Sequence, residues 1–120
     1  MVAQADDHGR KRHLGSGYAL HACALRPKSR GTVGLNSTNP KDAPRIDPGF
    51  LNHPDDLPTL MRGARILEEM LQSQALASWR GARLYPHDGS DAGLAQSIRS
   101  HADTIYHPVG TCRMGSDDMA

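Results

Sequence analysis

The chain has 120 residues, with 14 Lys and Arg against 13 Asp and Glu, for a formal net charge of +1. That balance excludes a whole-chain attraction to nucleic acid or an anionic membrane surface, and no run of about 18 apolar residues exists to cross a bilayer as a helix. Apolar residues make up 38% and aromatics are confined to Trp79, Tyr18, Tyr85, Tyr106 and Phe50, beside 12 glycines and 8 prolines, so the composition suits a piece of a larger protein.

Residues 1–16 are polar and read as an irregular N-terminal segment. The basic run His8-Gly9-Arg10-Lys11-Arg12-His13 sits beside Asp6 and Asp7, lacks interleaved aromatics and reads as a solvated loop. Charge stands where a signal peptide needs an apolar stretch, so a cytoplasmic chain is expected. Cys23 and Cys112 lie far apart and form no CxxC pair, which favours two reduced, largely buried thiols over a disulfide or metal site.

Gly17 to Leu25 reads as a strand with apolar residues on both faces, and His21 in its middle as an interior or sheet-face histidine. Arg26 to Gly31 makes a turn around Pro27, Thr32 to Leu35 is a second short strand, and Asn36-Ser37-Thr38-Asn39-Pro40 is a dense turn cluster. A β-hairpin with a several-residue loop follows from this pattern. Ala43 to Leu51 is proline-bounded and reads as a linker or edge segment, because neither Pro44 nor Pro48 can donate to a ladder.

The strongest helix spans about Pro54 to Gln72, with Leu57, Leu60, Met61, Ala64, Leu67, Met70 and Leu71 along one face. Asp55 and Asp56 favour its N-terminus, and Pro58 is tolerated if it falls in the first turn. Gly63 inside the helix costs about 1 kcal/mol relative to alanine and suggests close packing. Ala75 to Trp79 is a short helical turn, with Trp79 as a core anchor. Ser90 or Asp91 caps a second helix to about His101, with Leu94, Ile98 and Ala102 facing inward. The fold class is α+β: a partial antiparallel sheet of two to three strands with two helices.

The chemistry-bearing stretch is Tyr106-His107-Pro108-Val109-Gly110-Thr111-Cys112-Arg113-Met114-Gly115. Pro108 biases His107 away from the helical region, and Gly110 permits a turn at positive φ or a close approach. A histidine held this way is a candidate acid/base, since an unperturbed imidazole titrates at about 6.5. An isolated loop histidine is also commonly a surface or structural residue, and the segment alone does not choose between the two.

Three blocks, in order, extend the pattern. They are Leu25-Arg26-Pro27-Lys28-Ser29-Arg30-Gly31-Thr32-Val33-Gly34-Leu35, then Pro44-Arg45-Ile46-Asp47-Pro48-Gly49-Phe50-Leu51 with Asp55-Asp56-Leu57, then His101 to Gly115. Together they resemble the C-terminal, substrate-binding part of the glucose–methanol–choline (GMC) oxidoreductases, especially bacterial alcohol and choline dehydrogenases. The resemblance covers nearly the whole chain, with residues 17–120 as a partial C-terminal domain.

It implies FAD as cofactor, a small-molecule alcohol as substrate and hydride transfer to the flavin, with His107 as the catalytic base. A neutral imidazole that takes the hydroxyl proton eases hydride loss from the same carbon. Other features of the family are absent. No Gly-x-Gly-x-x-Gly turn for a dinucleotide occurs, so no cofactor-binding residue is assigned, and none is assigned to a metal. The segment that supplies the family's second catalytic histidine or asparagine is also missing, and the missing flavin-binding half is expected in an N-terminal partner region. The chain by itself is expected to be inactive. Competing readings are half of a split flavoenzyme, and a non-enzymatic interaction or nucleic-acid-binding module using residues 8–13. A zinc site from His101 and His107 is disfavoured, as six residues across a helix end do not make a compact ligand set.

Overall fold

The computed structural model describes residues 5–6, 11–12, 15–112 and 114–118. It is α+β. β1 (Ala5–Asp6) pairs antiparallel with β2 (Lys11–Arg12), and β3 (Thr32–Gly34) pairs antiparallel with β4 (Arg45–Asp47). Two helices follow, α1 (Asp56–Leu71) and α2 (Asp91–His101), with a 3-10 turn at Gln74–Trp79 between them. The chain divides into two units. One holds the chain up to Cys23 together with Thr59–Asp103; the other holds Ala24–Pro58 together with the chain from Thr104 onward.

Pro58, where the second unit's stretch of α1 ends, is the third residue of the helix, and its missing N–H would have no intrahelical partner there. In the first unit, a Cβ built on Gly63 would lie 2.9 Å from Cβ of Ala22, so this glycine lets the helix approach the Ala22 side chain closely. Beyond the end of α1, the Arg80 guanidinium donates to the carbonyls of Leu71 (3.0 Å) and Ser73 (2.9 Å), covering acceptors a helix end leaves open. α2 starts as its sequence dictates: the Ser90 hydroxyl accepts the Gly93 amide at 3.0 Å. Asp88 in turn accepts the Ser90 amide and hydroxyl. Leu94 is 3% exposed and is the one buried apolar residue among those described.

Glu68 joins α1 to the segment before α2. Its Oε1 accepts from Arg83 Nη2 at 2.6 Å and meets His87 Nε2 at 2.7 Å. The Gly89 amide donates to His87 Nδ1, so that nitrogen is an acceptor and Nε2 carries the proton given to Glu68. Burial pushes the Glu68 carboxyl up, but the hydrogen bonds from His87 and Arg83 and the Arg83 charge outweigh it and hold the group below its usual range. His101 stacks on Tyr85 with ring centroids 4.2 Å apart.

In the second unit β3 pairs not with the Gly17–Leu25 run expected as the other strand but with β4, in a hairpin that sets Val33 opposite Ile46. Its loop is tied by polar side chains: Ser37 Oγ donates to Asp42 (2.5 Å), Asn39 Nδ2 to Asp42 (3.1 Å), and Asn36 Nδ2 to the Ala43 carbonyl (2.8 Å). The proline-bounded segment is thus an edge strand, flanked by Pro44 and Pro48 at positions that make no ladder bond.

Four expectations are corrected. Gly17 to Leu25 is not a strand, because that apolar run has no ladder partner among the described residues, and His21 within it is exposed. Trp79 is 75% exposed and anchors no core among the described residues. Cys23 and Cys112 are free, as expected, but both are exposed. Ala102 caps α2 and is exposed, so only Leu94 of the predicted inward face is fully covered. The basic run falls largely outside the described residues. Among those described, no helix is long and apolar enough to cross a membrane.

Candidate functional site

The second unit draws the motif-bearing stretches together around Ser29. The hydroxyl and carboxylate there are nearly closed to solvent: Ser29 is 6% exposed and Asp56 5%. Asp56 accepts three hydrogen bonds from a turn 27 or 28 residues upstream. Its Oδ1 takes the Lys28 amide at 2.8 Å, and its Oδ2 takes the Ser29 amide at 2.8 Å and the Ser29 hydroxyl at 2.5 Å. Ser29 Oγ accepts the His53 amide at 3.0 Å in return. The hydrogen bond from the Ser29 hydroxyl, then that from the Lys28 amide, holds the Asp56 carboxyl below the usual carboxylate range. Outside this knot, Lys28 Nζ pairs with Asp55 at 2.6 Å on the surface.

Three glycines let neighbouring backbones meet beside it. A side chain on Gly31 would collide with the carbonyl oxygen of Asp47 and with Pro48. Gly49, at φ 62°, faces the Arg30 carbonyl, and its amide donates to Asp47 Oδ1 at 2.9 Å. Gly110, at φ 97°, packs on the Ser29 carbonyl, where a Cβ would come within 2.9 Å. The Gly31 amide then donates to the Gly110 carbonyl at 3.0 Å. The turn at 28–31 therefore grips the C-terminal segment three residues beyond His107.

His107 itself is exposed, and its ring has no hydrogen-bond partner among the described residues. Tyr106 before it adopts φ 67°, a left-handed conformation costly for a bulky side chain. Its amide donates to Thr104 Oγ1 at 3.0 Å, a local turn that offsets part of that cost. Chemically, the arrangement is an accessible imidazole on a short segment bounded by a left-handed residue and a backbone clamp. It can accept or give a proton to a molecule resting on it.

A family model described as GMC oxidoreductase matches residues 27–120. This chain belongs to the GMC oxidoreductase family. It is 48% identical over 113 residues to the alcohol dehydrogenase [acceptor] of Pseudomonas putida, covering 92% of this chain and 20% of that protein. It is 37% identical to the mitochondrial choline dehydrogenase of Mus musculus, covering 96% of the chain and 20% of the relative. Against an oxygen-dependent choline dehydrogenase of Pseudomonas aeruginosa the identity is 38%, over 95% of the chain and 19% of the relative. The GMC chain spans about a fifth of the length of the curated relatives it matches. Of the stretches that carry its family resemblance, 25–35, 44–51 and 55–57 lie in the second unit, and 101–115 lies in it from Thr104 onward.

Sequence reasoning found the His107 segment and the positive φ of Gly110. It missed Ser29 and Asp56, reading one as part of a turn and the other as a helix-end charge. No local spacing signals a bond between residues so far apart in sequence. The repeated close approach of Gly31, Gly49 and Gly110 was the one clue in the composition of the motifs.

Proposed function

We propose that this GMC chain is the C-terminal, substrate-side part of an FAD-dependent oxidoreductase that acts on the CH–OH group of alcohols. Residues 17–120 form that part, with His107 as the base. The observation that carries the reading is the gathering of the motif stretches onto one segment that presents an exposed, glycine-clamped histidine.

The described residues fit only one end of the cofactor. The start of α1 carries the Asp56 carboxylate and that of α2 is occupied by Ser90 and flanked by Asp88 and Asp91, so neither suits a diphosphate. The nucleotide end is thus left to a flavin-binding region supplied from outside these 120 residues. At the reacting end, the exposed His107 imidazole would supply proton transfer to or from the alcohol. When bound, FAD supplies the hydride acceptor. A nitrogen of His107 takes the substrate hydroxyl proton, the Gly110 clamp holds the segment in register, and the exposed ring leaves room for the alcohol. The 120-residue chain alone binds no flavin and oxidises no alcohol.

A split enzyme, in which a separate flavin-binding polypeptide joins this one, is the second reading. Exposed Val33, Leu35 and Ile46 on the β3–β4 hairpin favour it, since they leave apolar surface for another polypeptide to cover.

The test is a graft. Residues 1–120 replace the matching fifth of the Pseudomonas putida relative, and flavin absorbance is followed on adding primary alcohols or choline. Alcohol-dependent bleaching is expected, slowed at least about a hundredfold by His107→Asn. Bleaching that survives His107→Asn unchanged, or a graft that loads no flavin, counts against the reading.

A further inference from the structure

We propose that Ser29, held by Asp56, is a positioning residue for His107. The inference rests on the reading of His107 as base and deepens it: it says what holds that base in place.

The connection runs through six contacts. Asp56 takes up both amides of the turn at Lys28 and Ser29, and the Ser29 hydroxyl as well. The same hydroxyl accepts the His53 amide, which ties down the approach to α1. With its two sides fixed, the turn presents the Ser29 carbonyl to the α-carbon of Gly110 and the Gly31 amide to the Gly110 carbonyl. Gly110 is three residues from His107, and the intervening Pro108 removes one rotatable backbone angle. A shift in the turn therefore passes to the imidazole with little slack.

Helix capping alone does not account for this concentration of polar groups. A carboxylate that only capped α1 would accept from its own first turn, yet Asp56 accepts from residues 27 and 28 positions upstream. A buried carboxylate is stable there because three donors replace its water. The Arg30 guanidinium closes the arrangement by donating to the carbonyls of Pro27 (3.0 Å) and Ser29 (2.9 Å), so the turn is braced from both faces. His107 has no such bracing of its own among the described residues and depends on the segment that bears it.

The experiment uses two proteins. In the 120-residue chain labelled with nitrogen-15, Ser29→Ala and Asp56→Asn are each compared with the parent. Expected results are at least about tenfold faster hydrogen exchange at the Gly31 amide, loss of the cross-peak between the Gly110 α-hydrogens and Arg30, and shifted His107 ring signals. Signals of α2 stay in place as the control for folding, and if Asp56→Asn disturbs them, Ser29→Ala alone is read. A turn that loosens while Gly110 and His107 signals remain fixed overturns the proposal. In the graft described above, Ser29→Ala lowers the limiting rate of flavin reduction on the order of ten- to a hundredfold and leaves the half-saturating alcohol concentration within about twofold. A rise in the half-saturating concentration with an unchanged limiting rate overturns it too. Failure of His107→Asn to slow bleaching strikes the base assignment instead, whatever the exchange data show, so the two failures are told apart.

Discussion

The amide of Gly31 donates to the carbonyl of Gly110 at 3.0 Å, although 79 residues separate them in the chain. That bond joins the Arg-Pro-Lys-Ser-Arg-Gly turn to the histidine-bearing segment. Gly110→Ala breaks the junction in two ways: its Cβ meets the Ser29 carbonyl, and φ 97° is costly for any L side chain. A loss of about 2 kcal/mol in the second unit is expected. Exchange at the Gly31 amide reads it directly, and an unchanged rate there contradicts the clamp.

The Asp56 knot makes the second unit sensitive to acid. Because the folded carboxyl sits below its unfolded value, its stabilisation is complete above about pH 4 and is lost as pH falls through the lowered folded value. Amide signals of Lys28 and Ser29 should move in that window. Asp56→Asn removes the titrating group, so its amide shifts should be flat there; a parent-like titration in the variant means another carboxylate is responsible.

Glu68→Gln tests the first unit. It keeps an acceptor for His87 but gives up the charge facing Arg83, and a cost of about 1 kcal/mol follows. The expected readout is a melting point lower by several degrees, with the Gly31–Gly110 junction unaffected.

Helix α2 separates capping from core. Ser90→Ala removes the acceptor for the Gly93 amide and should cost about 1 kcal/mol. Leu94→Ala should cost about 2–3 kcal/mol, near the low end for a buried leucine, since its neighbours are only partly covered. Equal costs in chemical denaturation would mean that Leu94 packs against less than its burial indicates.

Features set by neighbours in sequence were legible. Ser90 with α2, Pro58 in the first turn of α1, the glycine face at Gly63 and the loop from Asn36 to Asp42 each follow from local sterics and local hydrogen bonds. Features that need a distant partner were not. Gly17 to Leu25 has the composition of a strand, but a ladder requires a second backbone and the described residues provide none. Trp79 has the size of an anchor but is exposed and anchors no core among the described residues. Ser29 and Asp56 are ordinary surface residues by type, and only the folded turn makes them a buried pair. His107 stands out as a candidate base through the company of its motifs, while the clamp on its segment became visible only with the backbone of Gly110 in place.

With Leu94 the one apolar side chain buried among the described residues, little oily surface meets water anew when the chain unfolds. The heat-capacity change of unfolding should then fall well short of the roughly 12–15 cal/mol/K per residue usual for globular domains. Urea should act through a correspondingly shallow slope, since that slope tracks newly wetted surface. Calorimetry should show a low, wide melting peak, and stability should vary with temperature along a flat curve.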